Sequence, residues 1–561
     1  MKLRTSFFNT AVLKKDITRF APAWGLYLTA MLLLMLTIFA EEHYSLASSL
    51  GLTINLLSAV NIGYALVCAA LLFGDLFNSK LCNALHAMPM RREGWFLTHM
   101  VSGLLFSVVP NLVVGLCLMP RLGVYWFVAL IWVGGMTATY LFFFGAAVLS
   151  AMCTGNWFAM TLVYGLINFL SILIMWTAQY LFEPLLYGIE INSEHFIFLS
   201  PVSYLCTHEL NYLNFLDKIM SYYNPVNGWP YTLGIGAIGL VMLIGSLLIY
   251  RKRHLESAGD FITLRALSPV FLALYTLAAG MALFLFASVI LADNEYVFLV
   301  VGIAAGFITG SMLLKRTVKV FKPATFVGLA VVMAVVFGSL GVAKLEVLGL
   351  FRWVPEQEEE VKSVSFCYHY SYVEDDPGYM TTDEEEIREL ISIHKRILQD
   401  GSQDTNRAYD KFALQYTMKD GSTVTRYYPL DYSIPALSSM TPWFSKPEYV
   451  LETDDLEALL DNIEYIEVRM NNMPEDKYSS GVFLVTGEDV PALLEKIIAD
   501  CEAGHMSQDW NYHRLRSSAE VKGDLNIFMR EGNNIYISLW NEAVYTNNWL
   551  VDYMIEEGLF Y

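Results

Sequence analysis

Charge is scarce in this chain. Asp, Glu, Lys and Arg together make up 16% of it, against about a quarter in an ordinary soluble domain. Cysteine is sparse too, at seven in 561 residues, too few for a disulfide framework. A Cys367–Cys501 bridge is the pairing the layout leaves open, with no geometry to decide it. Catalytic signatures are missing as well. There is no G-x-x-x-x-G-K-[ST] phosphate loop, so the chain does not bind ATP in the usual way. G-x-S-x-G, H-E-x-x-H and C-x-x-C are also absent. His369, His394, His505 and His513 lack metal-ligand spacing and read as surface or core histidines. Basic excess is missing too: the net charge is −19, which argues against nucleic acid as a partner.

What is present is apolar. Hydrophobic residues reach 55% and the mean hydropathy is +0.42, too high for one soluble domain. The charge is divided unevenly. Met1–Ala343 holds 18 Lys and Arg against 14 Asp and Glu, whereas Lys344–Tyr561 holds 18 against 41. A mildly basic apolar half therefore precedes a strongly acidic polar one.

Nine runs are long enough to cross the roughly 30 Å apolar core of a bilayer. They are Pro22–Ala40, Gly51–Gly74, Trp95–Met119, Val124–Met152, Trp157–Phe182, Tyr231–Tyr250, Val270–Ala292, Tyr296–Leu314 and Ala324–Ala343. Alternate connections are basic: Lys2 to Arg19, then Lys80, Arg91 and Arg92, then Arg251 to Arg265, then Lys315 to Lys322. The positive-inside rule puts these, and the amino terminus, in the cytoplasm. An odd number of spans puts the acidic domain outside. Before the first span, Leu13, Ile17 and Phe20 share a helical face opposite Lys15 and Arg19, as in a helix lying at the membrane surface. A plain basic flank explains the same residues.

Inside the spans ionisable residues are nearly absent, His99 being the exception. Ion-coupled carriers need a carboxylate or histidine at depth, so these spans offer little to take up a coupling ion. Asn55, Asn61, Asn111 and Asn168 could line a path, but the better reading is hydrogen bonding between helices. Gly302, Gly306 and Gly310 form a close-packing seam. Glu183–Pro230 is a long, aromatic-rich outer loop able to hold short interfacial helices.

Asp75–Trp95, DLFNSKLCNALHAMPMRREGW, is the most informative stretch. On a helical wheel Phe77, Leu81, Ala84, Leu85 and Met88 share a face, with Ser79, Lys80, Asn83 and His86 opposite. Asn78 or Ser79 caps the start, and Pro89 ends the helix. Arg91 and Arg92 hold the next span's entrance on the basic side. The helix is too short to span, so its apolar stripe rests either on lipid or in a partner protein. Periodicity leaves the two even.

The acidic part reads as α+β and, at 344–561, is large enough for its own core. Strands are predicted at Lys362–Val373, Phe412–Met418, Thr423–Tyr428, Ile466–Met470, Leu525–Met529 and Asn534–Trp540. Helices are predicted at Asp383–Asp400, Asp454–Asn462, Asp489–Cys501 and Asn547–Glu557. Lys419-Asp420-Gly421-Ser422 is a hairpin turn. Asp383–Glu386 complements a helix dipole more simply than it attracts cations.

LKKDITRFAPAWGLY, ALHAMPMRREGWFLTH and YRKRHLESAGDFI resemble the corresponding stretches of ABC-2-type ABC transporter permeases of Gram-positive bacteria, in a subgroup with a C-terminal extracellular domain of unknown function. The resemblance implies a non-catalytic subunit, with a connecting helix at 1–21, a six-span core at 22–250 and a coupling helix at 78–88. Three further spans at 251–343 and the extracellular domain at 344–561 depart from the six-span pattern. It also implies separate ATPase subunits that carry ATP and Mg, a second permease chain, and export of an amphiphile, lipid or antimicrobial peptide. Phe77, Leu81, Ala84, Leu85, Met88, Arg91 and Arg92 would face the ATPase. A membrane-anchored sensor or ligand-binding protein is the alternative, and a membrane enzyme is disfavoured by the missing catalytic residues.

Overall fold

The computed structural model describes residues 8–38, 46–86, 91–122, 126–191, 197–207, 210–211, 226–253, 257–290, 295–345, 353–355, 358–369, 379–400, 411–429, 440–451, 453, 455–470, 481–487, 489–506, 521–530, 535–540 and 543–556. They form two compact units, Met1–Ala178 with Asn192–Gly338, and Gln179–Ile191 with Ser339–Tyr561.

The first unit is helical. It contains α1 (Thr10–Arg19), α2 (Ala21–Ile38), α3 (Leu46–Phe73), α4 (Ser79–His86), α5 (Arg92–Leu122), α6 (Phe127–Cys153), α7 (Trp157–Trp176), α8 (Pro201–Thr207), α9 (Gly228–Lys252), α10 (Ser268–Ile290), α11 (Glu295–Lys315) and α12 (Pro323–Lys344). Eight described helices are long and apolar enough to cross a membrane, and the count is nine if α1 and α2, bent by 60° at their break, make one span.

Buried polar groups bind these helices together. Tyr27 of α2 donates to Asn61 Oδ1 of α3 at 2.8 Å and to Asn111 Oδ1 of α5 at 3.2 Å, while Asn61 donates to Thr139 of α6. Asn61 and Asn111 are therefore interhelical bonds, as expected. Asn168 donates to Tyr164 O of its own helix. The glycine seam of α11 packs on α10: a Cβ on Gly302 would sit 2.7 Å from Ala279 O, and one on Gly306 would sit 2.6 Å from the Ala279 side chain. Only glycine allows that approach.

The second unit is α+β. Its elements are β1 (Val361–His369), β2 (Tyr379–Thr381), α13 (Glu384–Asp400), β3 (Lys411–Met418), β4 (Thr423–Pro429), α14 (Leu456–Asn462), β5 (Ile463–Met470), β6 (Gly481–Val485), α15 (Asp489–Glu502), β7 (Val521–Met529), β8 (Ile535–Trp540) and α16 (Val544–Glu556). Two four-stranded antiparallel sheets result, ordered β2-β1-β3-β4 and β6-β5-β7-β8. Each has its own core, one around Phe366, Leu390 and Tyr416 and the other around Ile466, Leu493 and Ile527. The expected hairpin is present, with Gly421 at φ +86° and Asp420 Oδ1 accepting from Ser422 N. Asp383 caps α13 through bonds from Glu385 N and Glu386 N.

Three features differ from the sequence reading. The end of the fifth apolar run, from Gln179, and the start of the loop read as Glu183–Pro230, as far as Ile191, group with the second unit. Gly188 bridges Tyr427 of β4, and Lys411 Nζ reaches Glu183 Oε1 at 3.0 Å and Glu190 Oε1 at 3.4 Å. Cys501 is a buried free thiol, so the Cys367–Cys501 bridge is not made. β2 and β6 stand where no strand is predicted, because Tyr379–Thr381 is only three residues long and Gly481–Val485 is short and follows a polar run.

A candidate docking helix at the basic end of the helical unit

α4 sits in the connection between α3 and α5, and its start is set locally. A 3₁₀ turn over Gly74–Phe77 closes α3, and Asn78 then turns extended at φ −113° and ψ 116°. Asn78 Oδ1 accepts from Lys80 N at 3.0 Å, so Asn78 is the cap. That extended residue breaks the helical phase, which corrects the wheel: Phe77 does not share a face with Leu81. The Phe77 ring is buried edge-on against Trp157 at 5.6 Å, whereas Leu81 is 49% exposed. Cys82 turns inward and is buried. Ala84 and Leu85 follow on the α4 backbone, with side chains outside the described residues, and Met88 lies outside them altogether. Arg91 and Arg92 are exposed at the entrance to α5.

What holds this connection in place was not read from the sequence. Arg253, just past α9, is buried. Its guanidinium donates to Leu76 O at 3.3 Å in the turn before α4, and to Ala151 O at 2.7 Å and Met152 O at 3.3 Å at the end of α6. Arg92 Nη1 donates to Arg253 O at 3.5 Å. One guanidinium thus ties the lead-in of α4 to the ends of α6 and α9, a role its planar fork suits. In the run Arg251-Lys252-Arg253 it is the third residue that turns inward, and sequence spacing carried no sign of that.

The segment after Arg253 closes the same end. Gly155 N donates to Asp260 O at 2.9 Å, Gly259 N to Gly155 O at 2.7 Å and Thr263 N to Cys153 O at 2.9 Å. A Cβ on Gly155 would lie 2.4 Å from Ser257 O, so a side chain there would force the two segments apart. Arg316, past α11, pairs with Asp260 at 3.3 Å.

α1 docks on α5 through a buried polar contact. Asp16 occupies the middle of the Leu13–Ile17–Phe20 stripe and is buried. Its Oδ2 lies 2.8 Å from His99 Nδ1 and accepts from Ser102 Oγ at 2.8 Å. The one ionisable residue noted inside a span is thereby the anchor for the amphipathic helix. Elsewhere, an apolar crevice of about 430 Å³ lies between α7 and α10, lined by Gly165, Phe169, Trp176 and Tyr275 among others. Among the described residues no cluster of three or more His, Cys, Asp or Glu could hold a metal ion.

No family model, curated protein or solved structure matches this chain.

Proposed function

We propose that this chain is the membrane-spanning, non-catalytic permease subunit of an ABC transporter of the ABC-2 type. It lies in the plasma membrane with its amino terminus and α4 in the cytoplasm and the α+β unit outside. ATP and Mg belong to separate ATPase subunits, and a second permease chain completes the transporter. The observation that carries this reading is α4 itself, an eight-residue helix between two long apolar helices. Its lead-in is fixed by Arg253, and Leu81 is left on the outside.

The mechanics follow from those contacts. A partner that grips Leu81 and the adjacent surface moves α4 as a body. The buried Arg253 bonds pass that displacement to the ends of α6 and α9, and packed helices shift as rigid elements rather than deforming continuously. The Asp16–His99 contact gives α1 the same role toward α5. The apolar, uncharged wall of the crevice beside α7 suits the chain of an amphiphile or lipid, and this supports export of that substrate class.

The test is co-expression with ABC ATPase subunits from the same source and purification through a tag on this chain. A retained ATPase whose hydrolysis rises with amphiphilic peptides or lipids supports transport. A chain that retains no ATPase but binds extracellular ligand is the membrane-anchored sensor instead.

A further inference from the structure

The second unit contains the same architecture twice. β1-β2-α13-β3-β4 and β5-β6-α15-β7-β8 repeat one order of elements, and their sheets close in the same strand order with every pairing antiparallel. A small sheet-and-helix motif could recur by chance, so the finer correspondences decide the matter.

The first strand of each copy carries an irregularity at the same place, between Val361 and Ser363 in β1 and between Ile463 and Tyr465 in β5. The residue opposite that point is a methionine both times, Met418 and Met529. Beyond it the inward pairs match: Val364 faces Tyr416 and Phe366 faces Leu414, as Ile466 faces Ile527 and Val468 faces Leu525. The outward residue of the second strand is Met380 in one copy and Leu484 in the other, 53% and 51% exposed. The helices bury the same stations, with Ile387, Leu390, Ile391 and His394 answering Val490, Leu493, Leu494 and Ile497. A bulge is a specific local insertion, and packing alone does not require it at one register position in two separate sheets.

We infer that the extracellular unit is a tandem duplication of one ββαββ module, and that the first copy is remodelled from within to hold the strap Gln179–Ile191. The remodelling is visible at equivalent stations. His394, Tyr416, Arg426 and Tyr428 stand where the second copy has Ile497, Ile527, Ile537 and, by register, Leu539. His394 is fully buried, with Nδ1 2.8 Å from the Tyr416 hydroxyl and Nε2 2.6 Å from that of Tyr428. Held in this way, the Tyr428 ring packs on Tyr187 of the strap, with centroids 5.3 Å apart. A Cβ on Gly188 would lie 2.9 Å from the Tyr428 hydroxyl, and Gly188 sits at φ +84° with its carbonyl accepting from Tyr427 N at 3.2 Å. Lys411 on β3 grips Glu183 and Glu190 at the strap's two ends. Among the described residues β8, the counterpart of β4, pairs with β7 alone.

The test restores the second copy's residues in the first, using H394I/Y416I/Y428L in the full chain and following hydrogen exchange. The expected result is that α13 stays protected while protection of residues 186–191, beyond the helical stretch that continues α7 to Leu185, falls at least tenfold, with β5, α15 and β7 unchanged. A strap as protected as in the wild type would overturn the anchoring role. Loss of protection in α13 itself would overturn the equivalence of the stations. In that event Gly188→Ala, which changes no residue of the first copy itself, decides the anchoring role separately. It is expected to release the strap, and unchanged protection would refute it.

Discussion

Arg253 is buried with its guanidinium spread over three carbonyls from two other segments. Arg253→Met keeps much of the volume but removes the guanidinium's bonds to Leu76 O and Ala151 O, leaving Met152 O only its bond from Thr263 Oγ1. The expected loss is about 2–4 kcal/mol, read as a lower unfolding temperature in detergent and faster exchange in α4. Arg253→Lys is expected to recover only part of it, since an ammonium cannot fork across several carbonyls. His394 gives a prediction in pH. Burial, helped by the charge of Arg426, pushes it down to about 3. The unfolded chain, with a value near 6.5, then takes up the proton first. Stability is full above about pH 6.5 and declines as the pH falls from there toward 3. Calorimetry of the second unit's transition should show this acid sensitivity in the wild type and less of it in H394I/Y416I/Y428L.

At the scale of elements, the strap covers the edge of the first sheet, which it meets at the single bridge Gly188–Tyr427. A fragment Ser339–Tyr561 lacks Glu183 and Glu190, which meet the buried Lys411, and lacks Tyr187, which covers Tyr428. Joining Gln179–Ile191 to it through a flexible linker is expected to raise its unfolding temperature by roughly 5–10 °C, the equivalent of about 2–3 kcal/mol in a domain of this size. Equal temperatures would contradict the strap's structural role. This membership was not legible in the sequence, because acidic residues in a loop look solvated until the lysine they meet, over two hundred residues away, is located. The regular elements were legible. The nine apolar runs became α2, α3, α5, α6, α7 and α9 to α12, and the periodicity of Asp383–Asp400 and the Lys419–Ser422 turn became α13 and the β3–β4 hairpin. The duplication was hidden because its stations keep apolar character and little identity: Phe366 answers Val468, and Tyr416 answers Ile527. In the candidate site, the helix was readable from local chemistry and its cap was narrowed to Asn78 or Ser79, of which the structure uses Asn78. The inward turn of Phe77 depended on one extended residue, and the hold of Arg253 depended on tertiary contacts that no local pattern encodes.

At the scale of the whole molecule, the proposed arrangement separates the basic connections from the acidic unit by the bilayer. Single cysteines at exposed Ser79 and Ser422 in a cysteine-free background test it. An impermeant thiol reagent added to intact cells is expected to label position 422 and to reach position 79 only after permeabilisation. The reverse pattern would overturn the topology. The central claim is that α4 seats on an ATPase, and burying one leucine there is worth about 1.5–3 kcal/mol, or roughly ten- to a hundredfold in affinity. The most direct measurement places a photo-crosslinking residue at Leu81 in the full chain, co-expressed with its ATPase and illuminated in membranes. A covalent adduct with the ATPase, absent when the probe stands at Val331 on α12, is what the account predicts. Adducts with lipid alone from position 81, with the ATPase present, would contradict it.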